Sequence, residues 1–396
     1  MDNQPASSKS YGIERQFQIY MGGLMGQRPS VPIPLSLLEQ KAKETLSAEA
    51  YDYVAGGAGG EETMLANRKA FERWRIVPRM LRNVSERDLS VELLGLRLPA
   101  PVILGPVGVQ SIVHPDAELA VARAAASVGI PFVLSTAGSR TIEQVAPEMK
   151  DVPAWYQLYW GKDPELTASM VARAERAGYK AIVVTLDTVL LAWRERDLHH
   201  PYLPFLRGEG LANYFSDPVF RAKLSQPPEK DPVAAVRYWV SIYSNTALTW
   251  DDLSFLRQHT RLPVLLKGIL HPDDAAKAHE CGMDGVIVSN HGGRQVDGAI
   301  AALDALPKVV NMVKGRIPIL FDSGIRRGAD AFKAIALGAK AVLLGRPYMW
   351  GLAVAGEQGV REVVLNFLAD FDLTLALSGY TSCGELNESS LAGSHG

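Results

Sequence analysis

The sequence predicts an α/β fold: a (β/α)8 TIM barrel with an N-terminal helical extension and a long loop after strand 4. Three observations predict it. From residue 101 onward, short apolar runs alternate with Ala-rich amphipathic stretches. The runs are continuous in Val, Ile and Leu, the composition of strands buried on both faces. The run-plus-helix unit recurs until eight have passed, the number that closes a barrel. A doubly wound sheet is the alternative, but it would normally show fewer units.

Residues 1–34 are polar, Gly-rich and Pro-broken and read as an N-terminal arm. Helical patterns follow near 35–54 and 61–73, then strand-like pieces at Trp74–Val77 and Asp88–Leu93 with a turn at Gly95. The eight runs are 101–107, 131–135, 154–159, 181–187, 263–268, 285–290, 318–324 and 341–346. Helical stretches near 116–128, 140–147, 164–177, 249–259, 272–281, 302–314, 327–337 and 350–370 accompany them. The expected domain is 35–385, with 386–396 as a C-terminal tail. Residues 188–248 break the rhythm. Connections of this length are usually functional or disordered. Leu203, Phe205, Leu206, Tyr214, Phe215, Val219 and Phe220 give this one enough apolar mass to pack, which favours a lid.

Lys+Arg is 41 against Asp+Glu 43, a net charge of −2, so neither a broad nucleic-acid footprint nor a polybasic membrane patch is indicated. Two cysteines, Cys281 and Cys383, cannot build a disulfide framework, which points to a reducing, cytoplasmic setting. The N-terminus shows no apolar signal core, and no uncharged run reaches the ~18 residues of a membrane span.

A barrel of this kind carries its chemistry at the C-terminal strand ends. Those ends are polar here: Gly108, Ser135, Gln157 and Tyr159, Thr185 and Asp187, Lys267, Ser289 to Arg294, Asp322 to Arg326, and Gly345 with Arg346. Runs seven and eight end in DSGIRRG and GRP. Gly324 and Gly345 admit close backbone approach, and Arg326 and Arg346 supply charge-assisted bonds, a phosphate-binding combination. A tight turn with surface arginines explains either motif alone; both at successive strand ends favour phosphate.

Lys267 ends a strongly apolar strand. A snorkelling lysine is the plainer account. Beside a phosphate-bearing cofactor, its ammonium is placed to stabilise negative charge on a reduced flavin ring. In SNHGGRQ, 289–295, two glycines let His291 and Arg294 face one ligand from a tight turn. The Arg fork suits a carboxylate, and the imidazole suits a general base. Asp187 is the candidate to orient that base. A capping histidine and a surface arginine are the alternative, and the local glycines tip the balance. WRERD, 193–197, offers Arg194 or Arg196, which on their own read as surface charge. Tyr53 and Tyr159 offer phenolic donors or are core tyrosines. His114 carries no assigned chemistry. No histidine shows metal-ligand spacing, and neither a Walker motif nor a G-x-G-x-x-G after a strand is present.

Taken together, SNHGGRQ, the lysine of LLKGI, FDSGIRRG, LGRP, QLYW, TLDT and YDYVAGGAG resemble the FMN-dependent α-hydroxy acid oxidase and dehydrogenase family, in the family's order and over about residues 36–385. WRERDL, PFLRG, NYFSDPVF and the N-terminal extension look most like its lactate 2-monooxygenase branch. The resemblance implies FMN across the barrel mouth. Pro106, Val107 and Gly108 would meet its ring, and Ser135, Gln157 and Thr185 would bond the ring or ribityl chain. Lys267 would face the N1/O2 side and Ser289 would sit near the ribityl. Asp322, Ser323, Gly324, Ile325, Arg326, Gly345 and Arg346 would hold the ribityl and phosphate. Arg294, Arg194 and Tyr53 would take the substrate carboxylate and Tyr159 would bond the substrate. His291, paired with Asp187, would remove the hydroxyl proton. Ala137 stands where glycolate oxidases have a bulky Trp, which argues for lactate or a larger 2-hydroxy acid. Gly108 stands where simple oxidases commonly have Ala.

The implied reaction oxidises a small L-2-hydroxy acid, lactate favoured, with O2 as partner. If the 2-keto acid is retained, it is decarboxylated oxidatively to acid, CO2 and water. If it is released, the products are keto acid and hydrogen peroxide, the alternative reading. An FMN barrel isomerase would not need the His291, Arg294 and Arg194 set. The resemblance also implies a homo-oligomer, tetramer or octamer.

Overall fold

The eight apolar runs become eight parallel strands: β1 Val102–Leu104, β2 Phe132–Ser135, β3 Ala154–Leu158, β4 Ile182–Thr185, β5 Val264–Ile269, β6 Gly285–Val288, β7 Ile319–Phe321 and β8 Ala341–Leu344. In this computed structural model, which describes residues 10–393, β8 pairs with β1 and closes the barrel. Every residue of these strands is buried except Gly268, which is partly exposed. Burial on both faces explains why the runs do not alternate. Register places Ser135 opposite Gln157 and Thr185 opposite Lys267, so the polar strand ends meet at one level.

β5 is irregular in one place. Its register with β6 shifts between Lys267 and Ile269, and Gly268 between them has φ +103°. A Cβ on Gly268 would lie 2.7 Å from Cβ and Cγ of Asp187. The bulge therefore needs glycine twice, for its backbone and for the room it leaves the neighbouring carboxylate.

Several sequence expectations are refined. The stretch 35–54 is two helices, Leu35–Thr45 and Ala48–Ala55, the second capped by the Ser47 side chain. Trp74–Ile76 pairs with Leu391–Gly393 from the tail, not with Val91–Leu93, which forms its own hairpin with Leu96–Leu98. The final helix begins at the phosphate-type motif itself and runs Arg346–Leu377, bent at Ala355 and Gly356. Within the arm, Tyr11–Leu24 is helical, and it packs on that final helix through Gly12 and Arg15. Gly12 N–H donates to Asp372, and Arg15 pairs with Glu362. A helix that buries glycine and arginine and exposes Ile13, Phe17 and Leu24 inverts the usual pattern, which is why periodicity read it as an arm.

Residues 188–248 are folded onto the barrel. Short helices Glu195–His199, Ala212–Phe215 and Pro218–Ala222 lead to a longer one, Pro232–Tyr243. Phe205, Tyr214, Trp239 and Tyr243 form an aromatic cluster, with Trp239–Tyr243 centroids 4.7 Å apart and Phe205–Trp239 5.0 Å. Asn213, fully buried, ties the segment to the end of β2. Its Oδ1 accepts the Ile142 N–H at 2.9 Å, and its Nδ2 donates to the Ser135 and Thr136 carbonyls at 3.2 Å each. Asn213→Ala strands the Ile142 N–H and the Thr136 carbonyl, while the Ser135 carbonyl keeps the Gly138 N–H. We expect a loss of about 1–3 kcal/mol in urea unfolding, the scale of unpaired buried polar groups, with faster proteolysis inside 204–243. Unchanged stability would show that the segment is held by its apolar contacts alone.

Candidate active site

At the C-terminal end of the barrel lies a cleft of about 1100 Å³, its open mouth included. Loops after β1, β2, β3, β6, β7 and β8 line it with Lys267 of β5, Tyr53 from the helix Ala48–Ala55, and Arg194 and Phe205 from the folded connection after β4. Nearly all the residues singled out in the sequence meet here. Pro106, Val107, Gly108, Tyr159, Lys267, His291, Arg294, Asp322, Ser323, Gly324, Ile325, Arg326, Gly345 and Arg346 all line the cleft with Tyr53 and Arg194. Asp187, Ser135, Gln157, Thr185 and Ser289 lie behind that lining.

The turn 289–294 is built for one histidine orientation. His291, Gly292 and Gly293 have φ of 57°, 66° and 76°. Ser323 Oγ accepts the Asn290 and Gly292 amides at 3.2 and 3.0 Å and donates to Asp322 Oδ1 at 2.8 Å. The Ser323 side chain thus shapes this turn, and what it offers the cleft is backbone. His291 Nδ1 lies 2.8 Å from Asp187 Oδ1, and Thr188 Oγ1 donates to the same oxygen at 3.1 Å. Burial would raise the Asp187 carboxyl, but His291 and Lys267 outweigh it and hold it below the ordinary range. An ionised Asp187 fixes the ring proton on Nδ1 and leaves Nε2 free to accept one. Burial, with the Lys267 charge, pushes the imidazole below 6.5 despite Asp187, so the base form prevails at neutral pH.

Lys267 is buried and donates to Ser289 Oγ at 3.0 Å, with Asp322 Oδ2 3.2 Å away. Burial disfavours its charge, but Asp322 and Asp187 override that and keep it a firm cation.

Four arginines converge on the cleft. Arg346 donates from Nε to the Val54 carbonyl at 3.1 Å, from Nη1 to Gly292 at 3.0 Å and from Nη2 to Gly56 at 2.8 Å. Arg294 Nη1 donates to the Tyr53 and Gly56 carbonyls, both at 2.7 Å, and its guanidinium lies 5.3 Å over the Tyr53 ring. Arg326 bonds only the neighbouring Ile325 carbonyl, at 3.0 Å. Among the described residues none of these three ion-pairs with a carboxylate. Burial, reinforced by Arg194, pushes Arg294 down to about 10; burial with Arg68 does the same to Arg326; burial, then Arg294 and Arg326, holds Arg346 well below its usual range. Depression of this kind marks uncompensated positive charge that an anion would relieve. Arg194 Nε donates to the Arg294 carbonyl at 3.2 Å, and the Tyr53 phenol lies within its hydrogen-bonding reach. Arg196 points elsewhere, to Asp52 and Glu61, so of the two candidates in WRERD only Arg194 lines the cleft.

Behind the lining, Ser135 Oγ donates to Gln157 Oε1 at 2.8 Å, while Gln157 Nε2 is buried with no partner. A donor left bare in a protein interior fits a ligand carbonyl or ring nitrogen. A phosphate-bearing flavin meets each of these demands: anion sites at Arg326 and Arg346, a fixed cation at Lys267, and a bare amide at Gln157.

Cleft residues that escaped the sequence reading include Thr188, Leu191, Phe205 as a lining group, Tyr243, Val54 and Met349. Thr188, Leu191, Phe205 and Tyr243 all come from the folded connection 188–248. Gly108 is a point of close approach. It does not simply leave free space, because a Cβ there would meet the Ala137 carbonyl at 2.9 Å and Ala137 Cβ at 2.8 Å.

The chain matches the family described as FMN-dependent dehydrogenase over residues 42–393. It is 46% identical over 376 residues to an FMN-dependent α-hydroxy acid dehydrogenase of Penicillium citrinum, covering 94% of each chain. It is 46% identical over 351 residues to an L-lactate oxidase of Lysinibacillus sphaericus, covering 89% of this chain and 90% of that protein. A crystal structure of mandelate oxidase superposes with TM-score 0.81 at 38% identity, over 91% of this chain and 98% of that one.

Selective 15N NMR of His291 should show titration below 6.5. Asp187→Asn removes the group that raises this value, so the midpoint should fall further. A rise on that substitution would refute the Asp–His assignment.

Proposed function

The chain belongs to the FMN-dependent dehydrogenase family and oxidises 2-hydroxy acids with FMN, and from that premise we propose that its substrate is L-lactate or a similarly small L-2-hydroxy acid, with O2 as the final oxidant. The observation that carries the reading is the convergence of a neutral, Asp187-held His291 with the unpaired fork of Arg294 beside one cleft.

The substrate carboxylate is held by Arg294, Arg194 and the Tyr53 phenol, and the Tyr159 phenol bonds the substrate oxygen. Burial keeps the Tyr159 phenol protonated and therefore a donor. His291 Nε2 takes the hydroxyl proton, and Asp187 stabilises the imidazolium that results. FMN supplies the acceptor for the two electrons that leave the α-carbon. It would be held by Pro106, Val107 and Gly108 at the ring, by Ser135, Gln157 and Thr185 along its edge, and by Lys267, beside Ser289, where negative charge develops. Asp322 to Arg326, with Gly345 and Arg346, would take the ribityl and phosphate.

The finer proposal concerns the product. Phe205, Tyr243 and Leu191 close the cleft from the folded connection, and Asn213 pins that connection to β2. Retention of the keto acid until O2 has reacted gives lactate + O2 → acetate + CO2 + H2O. Early release gives lactate + O2 → pyruvate + H2O2, and the lactate oxidase relative favours this second outcome. The anchored, aromatic cover supports the first. A cytoplasmic setting and a homo-oligomer belong to the same proposal. Two free thiols support the setting, and the apolar stripe on Tyr11–Leu24 supports the oligomer.

With L-lactate in air, acetate and CO2 should dominate and peroxide should stay minor. Stoichiometric peroxide would establish the oxidase reading instead. In anaerobic mixing, His291→Gln should keep its flavin but slow flavin bleaching by lactate at least ~100-fold, the scale of a lost general base. A change of only a few-fold would move the base role to another group.

A further inference from the structure

Behind the β1 loop, away from the His291 cluster, sits a fully buried carboxyl with no ion-pair partner, Glu118. It opens the helix Glu118–Val128. Its Oε1 accepts the Ser139 N–H at 2.9 Å, and the carboxyl also lies beside the backbone N–H of Gln110. Its Oε2 is buried without a partner. Gln110, equally buried, donates from Nε2 to the Val107 carbonyl at 3.0 Å, and its Oε1 too is buried without a partner. Glu118 and Gln110, whose backbone N–H reaches that carboxyl, thus each present a bare acceptor oxygen. Two acceptors cannot satisfy one another, and leaving both bare is costly in a dry interior.

Beyond those backbone amides, the hydroxyls and the cation nearby have acceptors of their own. The Tyr348 hydroxyl is committed to the Gly105 carbonyl at 2.8 Å and Tyr179 to the Ile142 carbonyl at 3.1 Å. Arg140, the nearest cation, bonds the Pro115 carbonyl at 2.5 Å and Ser139 at 3.4 Å. Ser139 Oγ donates to Ser111 Oγ at 2.9 Å, and Ser111 donates to Glu209 of the folded connection. One proton on the carboxyl resolves the mismatch.

What hangs on it is the backbone of 105–109. Gly105 N–H donates to the Leu344 carbonyl at 2.7 Å, Val109 N–H to Ala137 at 2.8 Å, and the Val107 carbonyl takes Gln110. Among the described residues the N–H groups of Val107 and Gly108 find no acceptor, and both residues line the cleft. These ties fix the loop from outside, and its free donors are left for a ligand. We propose that Glu118 is a positioning residue for the FMN site: as the neutral acid it donates to Gln110 Oε1, and Gln110 thereby holds the Val107 peptide so that the adjoining N–H groups face the cofactor. This rests on assigning 106–108 to the FMN ring. Burial pushes the carboxyl up to about 7, against the pull of the Ser139, Glu118 and Gln110 amides and Arg140, so both protonation states are within reach near neutrality. Ionisation would set two acceptors against each other and loosen the loop.

The test uses holoenzyme, wild type and Glu118→Gln, from about pH 5.5 to about pH 9, bracketing the transition. Three quantities are read: the FMN dissociation constant, the flavin midpoint potential and the infrared band of a protonated carboxyl. Glu118→Gln is neutral at every pH, and its amide can donate to Gln110 Oε1 while accepting from Ser139. Wild type should show the acid band below neutrality. Its FMN affinity should weaken several-fold as the pH rises through the transition, with a matching inflection in the potential. Glu118→Gln should keep the low-pH wild-type affinity throughout, with no inflection and no band. The same inflection in both proteins, or no acid band in wild type below neutrality, would overturn the proposal. The wild-type band decides the matter even if the variant fails to fold. Wild type without FMN would instead overturn the cofactor assignment, and the band would still report the protonation state.

Discussion

Positive charge buried without a carboxylate is the constraint on which this structure turns. Arg294, Arg326 and Arg346 are held at the barrel mouth by backbone carbonyls, those of Tyr53, Val54, Gly56, Gly292 and Ile325. Carbonyl oxygens orient a guanidinium but do not neutralise it, and the depressed pKa values record what remains. A folded chain accepts such a cost where a ligand later removes it. Three of the five carbonyls come from 53–56, so the N-terminal extension is a wall of the site rather than an appendage.

The opposite arrangement surrounds the Asp187–His291 pair. Lys267 is compensated by Asp322 and Asp187, and Asp187 is compensated by Lys267 and His291. Compensated charges stay where they are whether or not ligand is present, which suits groups that act on the substrate. Uncompensated ones wait for anions, which suits groups that bind it. Gly268 separates the two behaviours structurally, because its bulge leaves Asp187 space beside β5.

The barrel was legible in the sequence because strands buried on both faces leave unbroken apolar runs, and the site was legible because strand ends carried polar residues in a known order. What could not be read depended on tertiary contact. The helix Tyr11–Leu24 buries Gly12 and Arg15, so its apolar residues marked the wrong face. Tyr243 and Thr188 reach the cleft through the fold of the connection, which periodicity does not encode. Arg194 and Arg196 were indistinguishable until Asp52 and Glu61 claimed the latter. Gly108 makes a close approach to Ala137 that no sequence pattern announces. Glu118 looked like the first turn of an ordinary helix, and only its burial shows otherwise.

If the anionic end of FMN completes this cleft, riboflavin, which is FMN without the phosphate, should bind far more weakly. Flavin-depleted protein should be titrated with each, following the quenching of flavin fluorescence. Binding to charge-assisted donors at two buried arginines should make FMN tighter by at least about 100-fold, equivalent to about 3 kcal/mol. Arg346→Met should erase much of that difference while leaving riboflavin affinity nearly unchanged. Equal affinities for FMN and riboflavin in the unaltered protein would contradict the account.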